Sequence, residues 1–131
     1  MLYMVRGIPG SGKTTYAKER FPDVPMFEAD MFFEKDGEYK FNPKQLWLAH
    51  KWCKDKVEEC LKEGKDVVVS NTFTTLKEMR PYWNMVEQYD QDIKVIRMNT
   101  YYGSTHNVPE ENMQKMRDRF CDVWLEEHIN G

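Results

Sequence analysis

Apolar residues recur along this chain with two periods, and the switches between them mark alternating strands and helices. Leu2-Tyr3-Met4-Val5 is an apolar, strand-like run ending near Arg6. Thr14 to Phe21 carries helix-compatible residues that Pro22 stops, so a helix to about Arg20 is expected. Val24 to Ala29 reads as a short strand ending at Asp30. Asn42-Pro43 then opens a helix, with Asn as N-cap and Pro at the first helical position. Behind it Leu46, Ala49, Cys53, Val57, Cys60 and Leu61 follow the i, i+3/i+4, i+7 spacing of one helix face, and Gly64 ends the element. Asp66 to Ser70 is β-branched and apolar on both faces, as a strand covered on both sides must be. Thr75-Leu76-Lys77-Glu78 is a capping-box pattern opening another helix, which Pro81 is expected to kink or delay. Ile93 to Met98 is a further strand. After a polar loop, Pro109-Glu110-Glu111 starts a last helical region, in one or two pieces, to about Ile129.

Strands and helices that alternate in this way predict the α/β class, with a parallel sheet of about four strands and helices on both faces. Ligands of such sheets sit beyond the carboxyl ends of the strands. Three chemically useful segments follow strands here and so converge on one edge: residues 7–14, Asp30, and Asn71-Thr72.

The first of these is Gly7-Ile8-Pro9-Gly10-Ser11-Gly12-Lys13-Thr14, a complete G-x-x-x-x-G-K-[ST] phosphate loop. A chance match in a chain of this length has a probability of roughly half a percent, given glycine at about 7% of residues, so the motif is specific by itself. Glycines let the backbone curl until several N–H groups point at one anion. Lys13 can reach the β- and γ-phosphates, and the Thr14 hydroxyl suits a Mg²⁺ ligand. A helix starting at the loop adds the positive end of its dipole. The expected nucleotide-binding set is Gly7, Pro9, Gly10, Ser11, Gly12, Lys13, Thr14 and Thr15.

Asp30 can accept the proton of an attacking hydroxyl or help hold Mg²⁺ through water; it can equally cap a turn. Asn71 and Thr72 can orient an acceptor or a metal-bound water, or satisfy their own turn. Arg97, Lys115, Arg117 and Arg119 are candidates to neutralise a phosphoryl group in transfer. Arg117 and Arg119 sit two apart, so on a continuous helix at most one points inward. Phe32, Phe33, Tyr39, Phe41 and Trp47 form an aromatic-rich stretch suited to core packing or to stacking on a nucleobase. The spacing of His50, Cys53 and Cys60 does not match a closed zinc site, and both cysteines fall on the apolar helix stripe. His106, in the loop before Pro109, packs there or contacts the nucleotide, and His128 carries no signal.

Composition narrows the classes further. The chain has 131 residues with 14% aromatic and 31% charged side chains, ample for one domain with a real core. A net charge of −3 argues against holding long nucleic acid by bulk charge, which needs a positive face. Three cysteines do not make a disulfide framework and fit a reducing compartment. The chain has no apolar run of about 18 residues, and its first strand begins at Leu2, so a cytoplasmic protein is expected.

Taken together, Gly7 to Thr14, Ala29-Asp30, Ser70-Asn71-Thr72 and His106-Asn107-Val108-Pro109 resemble the P-loop kinase family. Specifically they look like the phage-type polynucleotide 5′-hydroxyl kinases and their short single-domain relatives. The relatives share Ala-Asp-x-Phe-Phe, here Ala29 to Phe33, and Met-x-x-Arg-aromatic, here Met116 to Phe120. The resemblance implies a three-layer P-loop kinase-like core over residues 1–131, with a C-terminal helical lid at about 99–119. It implies that Lys13 and Thr14 hold ATP and Mg²⁺, and that Asp30 is the general base, on the metal side as well, that activates a DNA or RNA 5′-hydroxyl. The chain departs from the pattern at two cationic positions. The phage-type kinases carry Arg where this chain has Phe33, and a lid Arg where it has Gly103; Arg119, which matches the relatives, is the expected replacement. The chain is also expected to lack a phosphatase-like domain and the extra strand that many nucleotide kinases add. Two other functions stay open. The acidic balance and the aromatics around Phe33 and Trp47 suit a small, nucleoside-like acceptor, and the two missing arginines suit an ATP-binding interaction module without turnover.

Overall fold

The computed structural model describes residues 1–103 and 108–130; His106 and Asn107 of the lid motif lie outside the described residues. The chain forms β1 (Leu2–Arg6), α1 (Lys13–Arg20), β2 (Met26–Phe27), β3 (Glu34–Lys35), β4 (Glu38–Tyr39), α2 (Leu46–Lys62), β5 (Val67–Asn71), α3 (Leu76–Gln88), β6 (Ile93–Met98), α4 (Glu110–Arg119) and β7 (Glu127–Ile129). Five strands make the main sheet in the order β2-β5-β1-β6-β7, and every neighbouring pair is parallel. At its centre Met4 of β1 lies between Val69 of β5 and Val95 of β6.

Period-two alternation sorts the strands between two cores. Leu2, Met4, Val67, Val69 and Val95 face the α2–α3 side, where Cys53, Val57, Leu61 and Met79 complete the packing. Val5, Val68, Ile96 and Met98 face the other side and pack with Ala17 of α1. The run Val67-Val68-Val69 is apolar throughout because both its faces are covered. Each such fully buried aliphatic side chain contributes roughly 1.5–3 kcal/mol. Of the apolar stripe expected on the long helix, Ala49, Cys53, Val57 and Leu61 form the buried face of α2, whereas Leu46 is exposed and Cys60 is half-buried.

Local signals account for most of the boundaries. The Asn42 side chain accepts from the Lys44 N–H at 3.0 Å and caps a 3₁₀ turn, Pro43–Gln45, that leads into α2. Thr75 caps α3, with Glu78 Oε2 accepting from the Thr75 N–H at 2.9 Å and from the Thr74 hydroxyl at 2.7 Å. Pro81 does not delay α3, which starts at Leu76 and carries the proline inside it.

Two elements depart from the sequence-based expectation. The final helical region ends at Arg119, and the chain returns to the sheet as a fifth strand, with Ile96, Arg97 and Met98 opposite Glu127, His128 and Ile129. The main sheet therefore has five strands where about four were expected. Leu125, at φ +63°, breaks any helix there before β7 begins. The second unforeseen element is the β3–β4 hairpin. It turns through Asp36-Gly37 at φ +53° and +78°, the Asp-Gly pair that tight hairpins favour.

Candidate active site

β1 delivers the chain from Arg6 into the phosphate loop. Gly10 and Gly12 take φ of +79° and +85°, which a side chain would strain. A Cβ on Gly7 would lie 2.4 Å from Ser11 Oγ, so the loop closes only over a glycine. The first intrahelical bond of α1 runs from the Tyr16 N–H to the Gly12 carbonyl at 2.9 Å, so the Lys13, Thr14 and Thr15 amides precede it. Ser11 is fully buried, and its hydroxyl finds no hydrogen-bond partner among the described residues. Lys13 folds its ammonium back onto the Ile8 carbonyl at 3.0 Å. Burial pushes its pKa down to about 8, against the pull of the Glu28 and Asp30 carboxylates.

The neighbouring edge comes from the end of β2. The Thr14 hydroxyl donates to both oxygens of Glu28, each at 2.9 Å. Burial raises the Glu28 carboxyl, while the Thr14 hydrogen bond and the Lys13 charge oppose that rise. Next to it, the Ala29 N–H donates to Asn71 Oδ1 at 2.9 Å. Asn71 thus ties the end of β5 to the exit of β2, one of the structural uses open to it. Asp30 lies exposed in the 3₁₀ turn Ala29–Phe33 and accepts from the Tyr39 hydroxyl at 3.3 Å. Burial and the Asp30 charge push that phenol up to about 12.

The aromatic stretch divides. Phe33 is buried and packs edge-on against Phe32 and Phe41. Tyr39 and Phe41 stand exposed with rings stacked 6.4 Å apart, and Trp47 is exposed as well.

The arginines divide too. Arg119 donates from Nε to the Thr74 hydroxyl at 3.1 Å, beside the start of α3. Arg117 pairs with Glu110 at 2.7 Å and covers the Tyr101 ring at 5.4 Å. It lines a hollow of about 240 Å³ with Ile8 of the phosphate loop, Thr100, Tyr101 and Phe120. The two point apart, as their spacing requires. Arg97 is engaged with Asp122 at 2.7 Å and Glu126 at 3.3 Å. Arg6, fully buried at the end of β1, pairs with Glu126 at 2.7 Å and donates twice to the Phe73 carbonyl. The guanidiniums of Arg6 and Arg97 both lie over the Phe120 ring, at 4.2 and 4.7 Å. Lys115 is exposed on α4. Cys53 is buried, and Asn71 Nδ2 reaches its sulfur at 3.7 Å. His128 meets the Asn99 side chain at 2.9 Å.

Sequence reasoning had not singled out Glu28, Thr100 or Tyr102. Glu28 stands two residues before Asp30 at the same strand end, and that spacing was its only signal. The Thr100 hydroxyl donates to the Ser11 carbonyl at 2.9 Å, and the Tyr102 N–H donates to the Gly10 carbonyl at 2.7 Å. The segment leaving β6 is thereby stitched onto the phosphate loop, with the Tyr102 ring against Gly12.

A parallel sheet whose central strand runs through a glycine loop into a helix, with carboxylates at the end of the edge strand two places away, defines the P-loop kinase-like class. Within that class the chain belongs to the AAA domain family, which matches residues 2–122. It is 26% identical over 133 residues to human NEDD4-binding protein 2, covering 92% of this chain and 8% of that protein. It is also 26% identical over 144 residues to the uncharacterized protein PM0531 of Pasteurella multocida, covering 98% of this chain and 80% of that one. Solved structures share the fold at lower identity. A chain of the Pnkp1/Rnl/Hen1 RNA repair complex matches at 22% identity and a TM-score of 0.61, over 92% of this chain and 37% of its own. A Janibacter sugar kinase matches at 14% and 0.63, over 98% and 82%. Chaetomium thermophilum Kti12 in complex with ADP-AlF3 matches at 14% and 0.65, over 98% and 88%. Among the described residues, no helix is long and apolar enough to cross a membrane.

Proposed function

We propose that this chain is an ATP-dependent phosphotransferase that moves the γ-phosphoryl group of ATP to a hydroxyl, with a polynucleotide 5′-hydroxyl as acceptor. The observation that carries it is a phosphate-loop lysine under the influence of two carboxylates, Glu28 and Asp30, at the end of β2. A nucleotide-hydrolysing phosphate loop also keeps one carboxylate near its metal; the second and exposed one at this strand end, Asp30, is what a kinase needs to take the acceptor proton.

The residues present fit the nucleotide and its metal. Gly7, Pro9, Gly10, Ser11, Gly12 and Thr15 form the cradle, where the buried Ser11 hydroxyl still lacks a partner. The Thr14 hydroxyl is a hard oxygen donor of the kind Mg²⁺ takes. When bound, Mg²⁺ would neutralise charge on the β- and γ-phosphates. Lys13 neutralises phosphate charge as well, and Asp30 accepts the hydroxyl proton. For the cation that stabilises the transferring group we assign Arg117, which shares a hollow with Ile8 of the loop. Arg119, the arginine expected from the family pattern, is held by Thr74 and takes the acceptor side.

A polynucleotide end is favoured by the exposed, stacked Tyr39 and Phe41 next to Asp30, since bases stack on such rings. The likeness to a chain of an RNA repair complex supports the same acceptor. One observation favours a smaller acceptor instead: the position of the phage-type acceptor arginine is filled by Phe33, which is buried.

The test is transfer of labelled phosphate from ATP to 5′-hydroxyl DNA and RNA oligonucleotides, run beside nucleosides and sugars. Asp30→Asn should lower the rate by about 10²- to 10⁴-fold, the usual worth of a general base, and Lys13→Ala should abolish transfer. Labelling of nucleosides or sugars alone would replace the acceptor, and ATP binding without any turnover would refute the kinase reading.

A further inference from the structure

We propose that Tyr39 couples acceptor recognition to catalysis: its ring receives the base on the reacting sugar of the acceptor, while its hydroxyl orients the Asp30 carboxylate. The inference rests on the proposed function for the role of Asp30 and for a polynucleotide acceptor. It goes beyond that reading in giving one side chain both tasks.

The β3–β4 hairpin brings the two groups together. Glu34 pairs with Tyr39 and Lys35 with Glu38, and the Lys40 N–H donates to the Phe33 carbonyl at 2.8 Å. The chain therefore doubles back through Asp36-Gly37, and the Tyr39 hydroxyl reaches Asp30 Oδ1, nine residues upstream, at 3.3 Å. That bond restricts the rotamer of a side chain lying exposed on the 3₁₀ turn Ala29–Phe33. A carboxylate offers about four acceptor sites, so one phenol at Oδ1 does not exhaust its capacity to take a proton. Burial and the Asp30 charge push the phenol up to about 12, so at neutral pH it donates and does not compete as a base.

The same ring belongs to a platform. Phe33, 1% exposed, meets the Tyr39 ring edge-on at 6.3 Å and the Phe41 ring at 5.1 Å. The planes of Tyr39 and Phe41 lie 7° apart, and the two residues are 37% and 51% exposed. Open aromatic faces of this kind are surfaces on which bases stack. None of the three side chains carries a charge, so the platform grips a base and not a phosphate. A base seated on Tyr39 lies against the residue that holds Asp30, and the hydroxyl to be phosphorylated arrives where the carboxylate points. Acceptors with a base on the reacting sugar are therefore selected over abasic ends and free sugars.

The coupling is tested with 5′-hydroxyl oligonucleotides whose terminal nucleotide is either normal or abasic, for wild type, Tyr39→Phe, Tyr39→Ala and Phe41→Ala. The single-turnover rate at saturating acceptor reads the hydroxyl, and the acceptor concentration at half-maximal rate reads the ring. In wild type the abasic end should raise that concentration at least about fivefold, the lower worth of one stacked base. Tyr39→Phe should lower the saturated rate about 3- to 10-fold, the worth of one hydrogen bond, at unchanged half-saturation. Phe41→Ala should raise half-saturation and leave the saturated rate unchanged. Tyr39→Ala should show both losses and narrow the gap between the two ends. Equal saturated rates for wild type and Tyr39→Phe overturn the orienting role, and an abasic end that half-saturates like a normal one overturns the base platform. A saturated rate that falls as far in Phe41→Ala as in Tyr39→Phe also overturns the coupling, because a loosened hairpin would account for both. Absence of transfer to any acceptor by wild type refutes the kinase reading itself, and the coupling falls with it.

Discussion

The lowered pKa of Lys13 makes nucleotide affinity a function of pH. In the free protein the amine titrates at about 8, because burial penalises the ammonium more than Glu28, Asp30 and the Ile8 carbonyl stabilise it. A bound triphosphate favours the charged form and raises that pKa. Binding above pH 8 must therefore bring a proton with it, and affinity present below pH 8 is lost above it. The charged fraction of the free amine falls from about nine-tenths at pH 7 to about one-tenth at pH 9. Affinity should fall by the same ratio, about tenfold or about 1.4 kcal/mol. An exposed lysine with the ordinary value of 10.5 would lose only a few per cent over that range. The assay is equilibrium binding of an ATP analogue at fixed Mg²⁺, from about pH 7 upward, where the terminal phosphate has lost its last proton. Calorimetry in buffers of different ionisation enthalpy should count about 0.9 proton taken up per nucleotide at pH 9. Lys13→Met should bind weakly, with a flat pH profile. A wild-type affinity that is level to pH 9, or no proton uptake there, would refute a buried, depressed lysine.

Two further outcomes are expected. Glu126→Ala should destabilise the protein by about 3–5 kcal/mol in urea unfolding, because it leaves the buried Arg6 unpaired; the double substitution with Arg6→Met should recover a large part, and a single-mutant loss under about 1 kcal/mol would show the pair to be dispensable. Gly12→Ala should cost about 1–2 kcal/mol from the left-handed backbone alone, plus a contact with Tyr102 at 3.0 Å. Adding Tyr102→Ala should relieve only the contact, so full rescue in thermal unfolding would refute backbone strain as a cause.

The legible parts of this protein are those whose physics is local in sequence. The phosphate loop needs glycines, a lysine and a hydroxyl at fixed offsets, and the Thr75–Glu78 cap closes within one turn, so both could be read directly. The Val67–Val69 run announced its two covered faces. β7 could not be read in the same way. Three residues are too few to show a period, and the partner strand that holds them lies some thirty residues upstream. Glu28 was hidden for a related reason: its importance comes from Thr14, brought beside it by the fold. For Arg117 and Arg119 the spacing established that they diverge, but only the packing of α4 determines which one faces the phosphate loop. The buried Phe33 is legible as apolar, yet nothing local distinguishes it from the exposed Phe41.

The Arg6–Glu126 pair bears on where the domain can be cut. Arg6 ends the strand that feeds the phosphate loop, and its side chain and that of Glu126 are 0% and 1% exposed. Yet the family match stops at residue 122. A fragment trimmed to that match would retain every motif residue while stripping two stacked guanidiniums, Arg6 and Arg97, of the carboxylate they share, and it would remove β7 from the sheet edge. Residues 123–129, beyond the recognisable span, thus supply both a buried counter-ion and the last strand of the sheet.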